Sequence, residues 1–328
     1  MSAAPSTSVP SLSSPPSFRG RIGHDAGSGY YAVPRRYRLH LSLSCPHCLR
    51  IAVTHSLLGL EQILPVVPLP AVPDLADGGH SALRPLYEAS AHRHPGPGTA
   101  PVLSDTWTGR IVSTHTPDIL SDLARFGCDG AARPALHRTG TDAETEAVGH
   151  LCEYGINEAA QQAGRAGVDE RERSAVLARL LRVLGSLEWR LANGDFVLGD
   201  EPSAADVQLW VTLVQLDTVH RLHLDAAAVH RVADHPHLWA YARRLTGHPA
   251  FGSHLDLDGI ARRHHARCRG QEAAGAAVQI LDWTAHIGGG SDAWGEGDGA
   301  RCEVALAPRA AHAARSDLTG PTARRVAP

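Results

Sequence analysis

Apolar and polar positions alternate over residues 37–43, YRLHLSL, the period of a half-buried strand. From Pro46 to Leu60 the pattern lengthens. Leu49, Ala52, Val53, Leu57, Leu58 and Leu60 recur at helical spacing, and Gly59 supplies a stop. EQILPVVP (61–68) predicts a second short strand. A Pro/Gly/His-rich stretch from Leu69 to Thr99 predicts loop. APVLSD (100–105), a turn at Thr108-Gly109 and RIVS (110–113) predict a hairpin. Residues 116–126 predict a helix, with Thr116 as N-cap, Pro117 in its first turn and Gly127 behind it.

The second half changes period. Residues 142–165, 170–193 and 203–222 carry helical spacing, and 237–246 and 256–268 are shorter helix candidates. In the second of these, Val176, Leu177, Leu180, Leu181, Leu184, Leu187 and Leu191 form one stripe. Phe196-Val197-Leu198 is the one strand candidate in this half. The expected architecture is a small α/β domain over 31–130 followed by an all-α domain over 140–268. Residues 1–30, which open Ser/Pro-rich, and the Ala/Gly-rich 270–328 are expected to be disordered.

Composition narrows the function classes. The chain has 328 residues, 43% of them hydrophobic, enough for about two domains of roughly 150 residues each. A net charge of −3 gives no basic surplus for nucleic acid or an anionic membrane. No apolar run approaches the roughly 20 residues of a bilayer span, and the N-terminus lacks a signal-peptide pattern. Six cysteines are too few for a disulfide scaffold, so a cytoplasmic, reducing setting is expected, where paired cysteines serve catalysis or metal binding.

The candidate chemistry begins at Cys45-Pro46-His47-Cys48. A helix starting at Pro46 puts Cys45 at its N-cap, where free N–H groups and the helix dipole favour thiolate over thiol. Cys48 lies a turn inside and is a candidate resolving thiol. Zinc binding by this pair would need two further ligands; His264-His265-Ala266-Arg267-Cys268 is the nearest candidate but offers no second clean pair, so no metal site is expected. With 21 histidines in the chain, any single one is weak evidence for a ligand.

The motifs resemble those of the glutathione transferase superfamily, most closely its glutathionyl-hydroquinone reductase group (Xi-class, omega-like). HLSLSCPHCLR resembles that group's YVSLxCPWAHR, and APVLSDTWTGRIVSTHT resembles its VPVLWD…TxxIVSNES. LGDEPSAADVQLWVTLVQLDTVHRLH (198–223), HRVADHPHLWAYARRLT (230–246) and DGIARRHH (258–265) resemble its helical half. The resemblance covers about residues 37–268. It implies a thioredoxin-like N-terminal domain before an all-α transferase domain, with the substrate cleft between them.

It also implies Cys45 as the thiolate that forms a mixed disulfide, and Pro101 as a cis-proline that frees the Ala100 backbone for a bound thiol. His115-Thr116 would occupy the place of the group's Glu-Ser pair, and His47 and Arg50 would flank the thiol. The implied cofactor is glutathione or another small thiol, with mycothiol as the variant lacking a γ-glutamyl group. The implied partner is an aromatic or electrophilic small molecule, and the implied assembly a homodimer.

Departures are visible. His47 replaces a tryptophan, and Cys48 an alanine. His115 replaces the glutamate that pairs with the γ-glutamyl ammonium. Gln161, His220 and His264 or His265 replace three tyrosines, so His220 and His264 are the candidate acid–base groups. Three activities stay open: thiol transfer or reductive deglutathionylation, a glutaredoxin-like oxidoreductase using Cys45 and Cys48, and a transferase-like binding protein.

Overall fold

The computed structural model describes residues 18–23, 29–127, 136, 140–224 and 235–268. All of these belong to one compact unit. Of the predicted tails, residues 1–17 and 24–28 and all of 270–328 lie outside the described residues, as do Cys128 and Cys302.

Strand β1 (Tyr37–Leu41) buries Tyr37, Leu39 and Leu41 and turns Arg38 outward, as the alternation requires. β2 (Val66–Pro68) pairs with it in parallel, Leu39 opposite Val66. β3 (Val102–Asp105) pairs antiparallel on its other side, Leu39 opposite Leu103, and β4 (Arg110–Ser113) completes the order β2-β1-β3-β4. Between β1 and β2 runs α1 (Pro46–Leu57), ended by Gly59 at φ 58°. The β3–β4 turn is closed by Asp105, which accepts from the Trp107 N–H and the Thr108 hydroxyl while paired with buried Arg36 at 2.9 Å. The Ala100–Pro101 bond is cis.

The stretch 69–99 is not all loop. It contains α2 (Arg84–Ser90), started by Pro85, which packs Leu83 and Tyr87 against Phe18, Val102 and Ile111. Two turns amid Pro, Gly and His are too short to show a period. The predicted disorder over 1–30 also fails for residues 18–23. This strap lies along β4 through Gly20 N–H to Val112 O (2.8 Å) and Thr114 N–H to Phe18 O (3.0 Å). Its Arg19 and Arg21 reach Asp118 and Asp122 of α3 (Thr116–Leu123), and Ile22 is fully buried. The N-cap of α3 is His115, one residue earlier than predicted. Ser113 accepts from the His115 N–H (3.1 Å), and Thr116 is the first helical residue.

The second half is all helical, with one irregularity. The predicted helix 142–165 comprises α4 (Asp142–His150), a π-helical segment (Leu151–Asn157) and α5 (Glu158–Ala163). α6 (Glu170–Leu191) buries Leu180, Leu184, Leu187 and Leu191 of the predicted stripe and leaves Val176, Leu177 and Leu181 half-buried. α7 (Ala204–Thr218) begins with the Ser203/Asp206 capping box and is buried almost all round. A 3-10 turn (His220–His223) follows, then α8 (Pro236–Gly247), α9 (Pro249–Gly252) and α10 (Leu257–Cys268). Phe196–Leu198 is no strand; Phe196 makes a single bridge to Gly199. Asp206, fully buried, accepts from the N–H groups of Val197 and Ser203, the Ser203 hydroxyl and the Tyr241 hydroxyl. α1 packs against β1 and α3 of its own half and against α7 and α9 of the helical half, so it lies between the two. No helix among the described residues is long and apolar enough to cross a membrane.

Candidate active site

Cys45 sits at the N-cap of α1 in extended backbone (φ −93°, ψ 126°), its carbonyl accepting the first helical bond from Leu49 N–H at 2.9 Å. Pro46 occupies the first helical position, where a missing N–H costs nothing. The thiol is 6% exposed. It is pushed down to about 5, first by the Cys48 S–H that donates to it. Burial opposes the shift; the Cys48 backbone N–H and the charges of Arg263 and His47 add to it. Cys48 is fully buried and moves the other way, well above its ordinary value, because burial and the neighbouring thiolate both hold its proton. The two sulfurs therefore divide the labour: Cys45 carries the charge and Cys48 the proton. His47, one residue from Pro46, is exposed.

The floor of the site is built from the loop after β2. The Ser42 hydroxyl donates to Pro70 O at 2.9 Å, and the Ser44 hydroxyl donates to Ala71 O at 2.5 Å. Arg263 of α10 reaches the same Ala71 carbonyl at 3.4 Å. Gly259 permits that approach, since a Cβ there would stand 2.9 Å from Ala71 Cβ and collide with the Asp256 carboxylate. The C-terminal helix thus supplies a cation to a cysteine of the N-terminal half. Arg263 carries no periodic or spacing signal in DGIARRHH, where the neighbouring histidines are the conspicuous residues.

The remaining predicted positions divide. Ala100 and cis-Pro101 lead into β3, with Pro101 buried. His115 and Thr116 begin α3, and His115 Nδ1 lies 3.0 Å from Asp118 Oδ2. Asp118 is buried and held below the usual carboxylate range, chiefly by its hydrogen bond from Arg19 at 2.8 Å. The one carboxylate beside the His115 position is therefore already neutralised. Arg50 turns elsewhere. The charges nearest to it are Cys152 and Glu153 on the π-helical segment, and neither cysteine of the CPHC pair is among them. On α1 it therefore has electrostatic partners in the helical half.

His220 and His264 come together, as the resemblance implies, but alongside His223 and Cys268. Burial beside those two other imidazoles pushes His220 down to about 4. It is neutral at pH 7, which removes it as a proton donor there. His264 is buried. One position along α10 rotates it about 100° from Arg263, so it faces His223 while Arg263 faces Cys45.

The model of the glutathione S-transferase C-terminal domain matches residues 159–244. A glutathionyl-hydroquinone reductase of Escherichia coli (YqjG) is 27% identical over 280 residues, 80% of this chain and 84% of that protein. Its glutathione-bound structure superposes with TM-score 0.68 and 23% identity, covering 81% of this chain and 94% of the other. A Xi-class transferase from Natrialba magadii gives TM-score 0.71 and 23% identity, covering 83% and 90%. With a cysteine at the N-cap of the helix that follows β1 and an all-helical half behind it, this chain has the fold of the Xi-class transferases and is similar in sequence to a protein named a glutathionyl-hydroquinone reductase, its helical half matching the glutathione S-transferase C-terminal model.

Proposed function

We propose that this chain is a cysteine-dependent enzyme of reductive deglutathionylation, acting on a thiol adduct of a quinol-like aromatic molecule. The observation that carries it is the Cys45 thiol, pushed down to about 5 at the start of α1. The kinship with proteins named glutathionyl-hydroquinone reductases supplies the reaction class.

The Cys45 thiolate attacks the sulfur of the adduct. An S–S bond forms and the aryl C–S bond breaks. Its electron pair stays on the ring carbon, which takes a proton, so the aromatic product is reduced and Cys45 is oxidised to a mixed disulfide. A second thiol attacks that disulfide, leaves as the symmetrical disulfide and restores Cys45. Pre-ionisation favours the first step, because only the thiolate is nucleophilic. The Ala100 backbone before cis-Pro101 is open to a peptide-like thiol, and the α3 N-terminus with Thr116 suits its terminal carboxylate.

The amino end of glutathione fits less well. Asp118, the carboxylate next to His115, is shared between Arg19 and His115. Glutathione should therefore be held by fewer groups than a glutamate-bearing site would offer, and a thiol without a γ-glutamyl ammonium, such as mycothiol, loses nothing here. His220 serves as a neutral hydrogen-bonding group for the aromatic substrate. The four described cysteines are all free thiols, which fits a reducing compartment. A second reading, disulfide exchange through Cys45 and Cys48, rests on the proton that Cys48 holds against Cys45.

Mass spectrometry of Cys48→Ser after exposure to glutathione disulfide or mycothiol disulfide tests this reading. An adduct on Cys45 names the thiol, and no adduct with either overturns the covalent mechanism. Turnover separates the alternatives: the monothiol route survives Cys48→Ser, the dithiol route does not, and a binding protein shows none in either form.

A further inference from the structure

We propose that His223, His264 and Cys268 form a binding site for a single zinc ion, separate from Cys45 and independent of the reaction proposed above.

The donor atoms of the three residues all lie within 4.8 Å of one another. Cys268 Sγ stands 3.6 Å from His223 Nε2 and 3.5 Å from His264 Nδ1. Tetrahedral zinc, with Zn–S of about 2.3 Å and Zn–N of about 2.05 Å, separates neighbouring sulfur and nitrogen ligands by about 3.6 Å. Both sulfur–nitrogen spacings are those of ligands around one ion. They are also longer than a good hydrogen bond. The rings of His223 and His264 stand 5.0 Å apart at 74°, so their edges converge instead of stacking. A thiolate with two imidazoles is a borderline-soft donor set suited to zinc and poor for magnesium or calcium.

The scaffold holds these groups in place. His264 and Cys268 are four apart on α10, hence on one face. His223 closes the 3-10 turn after α7, and that turn is anchored by the fully buried Arg221–Asp217 ion pair. Gly164, ending α5, makes room for it, since a Cβ there would stand 2.7 Å from His223 Cβ. Three protein ligands leave a fourth position for water. On binding, the Cys268 thiol gives its proton to solvent, and each imidazole coordinates through a ring nitrogen lone pair. The ion would fasten the end of α10, and with it Arg263, to the helical bundle.

The test uses the full chain without a histidine tag, stripped with chelator and titrated with Zn²⁺ against a chromophoric competitor. We expect about one zinc per chain with a Kd of about 1 µM or tighter. Zinc should raise the unfolding temperature and chelator should reverse the rise. Cobalt substitution should give a thiolate charge-transfer band. Cys268→Ser, at the half-buried last residue of α10, should lose the band and the tight zinc, and His223→Gln the tight zinc, while the Cys45→Ser/Cys48→Ser double variant keeps both. Failure of the unmodified chain to bind zinc overturns the proposal without reference to any variant. So does zinc that persists in Cys268→Ser, or zinc lost with the Cys45/Cys48 pair. None of these readouts involves turnover, so the proposed reaction and this site stand or fall separately.

Discussion

Replacing Cys48 by alanine removes the S–H that faces Cys45 and leaves the helix, the backbone donor and the charges of Arg263 and His47 in place. That S–H is the largest cause of the fall of the Cys45 thiol to about 5. A hydrogen bond to a charged group contributes about 1.5–3 kcal/mol, and one pKa unit corresponds to about 1.4 kcal/mol. The midpoint of Cys45 should therefore rise by roughly one to two units, to about 6–7. The consequence for rate runs against intuition. At pH 7.5 the thiolate fraction falls by less than about twofold, while nucleophilicity rises with pKa at a Brønsted slope of about 0.4–0.5. Alkylation of Cys45 should therefore become roughly three- to sixfold faster. The assay is the pH profile of iodoacetamide alkylation, with the modified peptide identified by mass. Cys48→Ser, which keeps a hydroxyl donor, should fall between wild type and Cys48→Ala. An unchanged midpoint in Cys48→Ala would refute the division of charge and proton between the two sulfurs.

Three further outcomes follow from the same geometry. Folded Cys45 loses its proton near pH 5 and the unfolded chain near the ordinary 8.5. Between these values the unfolded state binds the extra proton, so stability rises with pH by up to about 1.4 kcal/mol per unit and is lost as pH falls through 5. Denaturant unfolding of wild type minus Cys45→Ser should show that slope, and a flat difference between pH 5 and 8 would count against it. Arg263→Gln should raise the Cys45 midpoint by less than Cys48→Ala does, since its charge ranks below the hydrogen bonds, and a larger rise would reverse that order. Asp206→Ala leaves four buried donors without an acceptor. It should cost about 3–5 kcal/mol in urea unfolding, and a loss below 1 kcal/mol would show that the network relaxes.

Features that depend on local chemistry were legible in the sequence. The β1 alternation, Pro46 after Cys45, the Ser203/Asp206 box and Gly59 each specify their own neighbourhood. The two-domain architecture followed from the change of period near residue 140. Features that depend on distant partners were not. α2 is held by Leu83 and Tyr87 against residues far along the chain, and two turns show no stripe. The π-helical segment keeps enough helical spacing to pass for continuous helix. Arg263 meets Cys45 only because Gly259 lets α10 close on Ala71. The cluster proposed for zinc was not legible: in the sequence His264-His265-Ala266-Arg267-Cys268 stands only as a candidate partner for the CPHC pair, with no metal expected, and folding is what brings His223 to His264 and Cys268.

The strap over residues 18–23 bears on how the chain is prepared and trimmed. By sequence alone, a boundary near residue 30 is the natural place to begin a shortened protein. Such a protein would lack Arg19 and Arg21, the guanidinium partners of Asp118 and Asp122. Asp118 would lose both guanidinium partners and become an available acid beside His115, while Asp122 would keep Arg125. The shortened enzyme should then accept an ammonium-bearing thiol more readily than the full chain does. Thiol preference measured on a trimmed protein would describe the trimming, because the strap along β4 neutralises the acid that would otherwise choose the ligand.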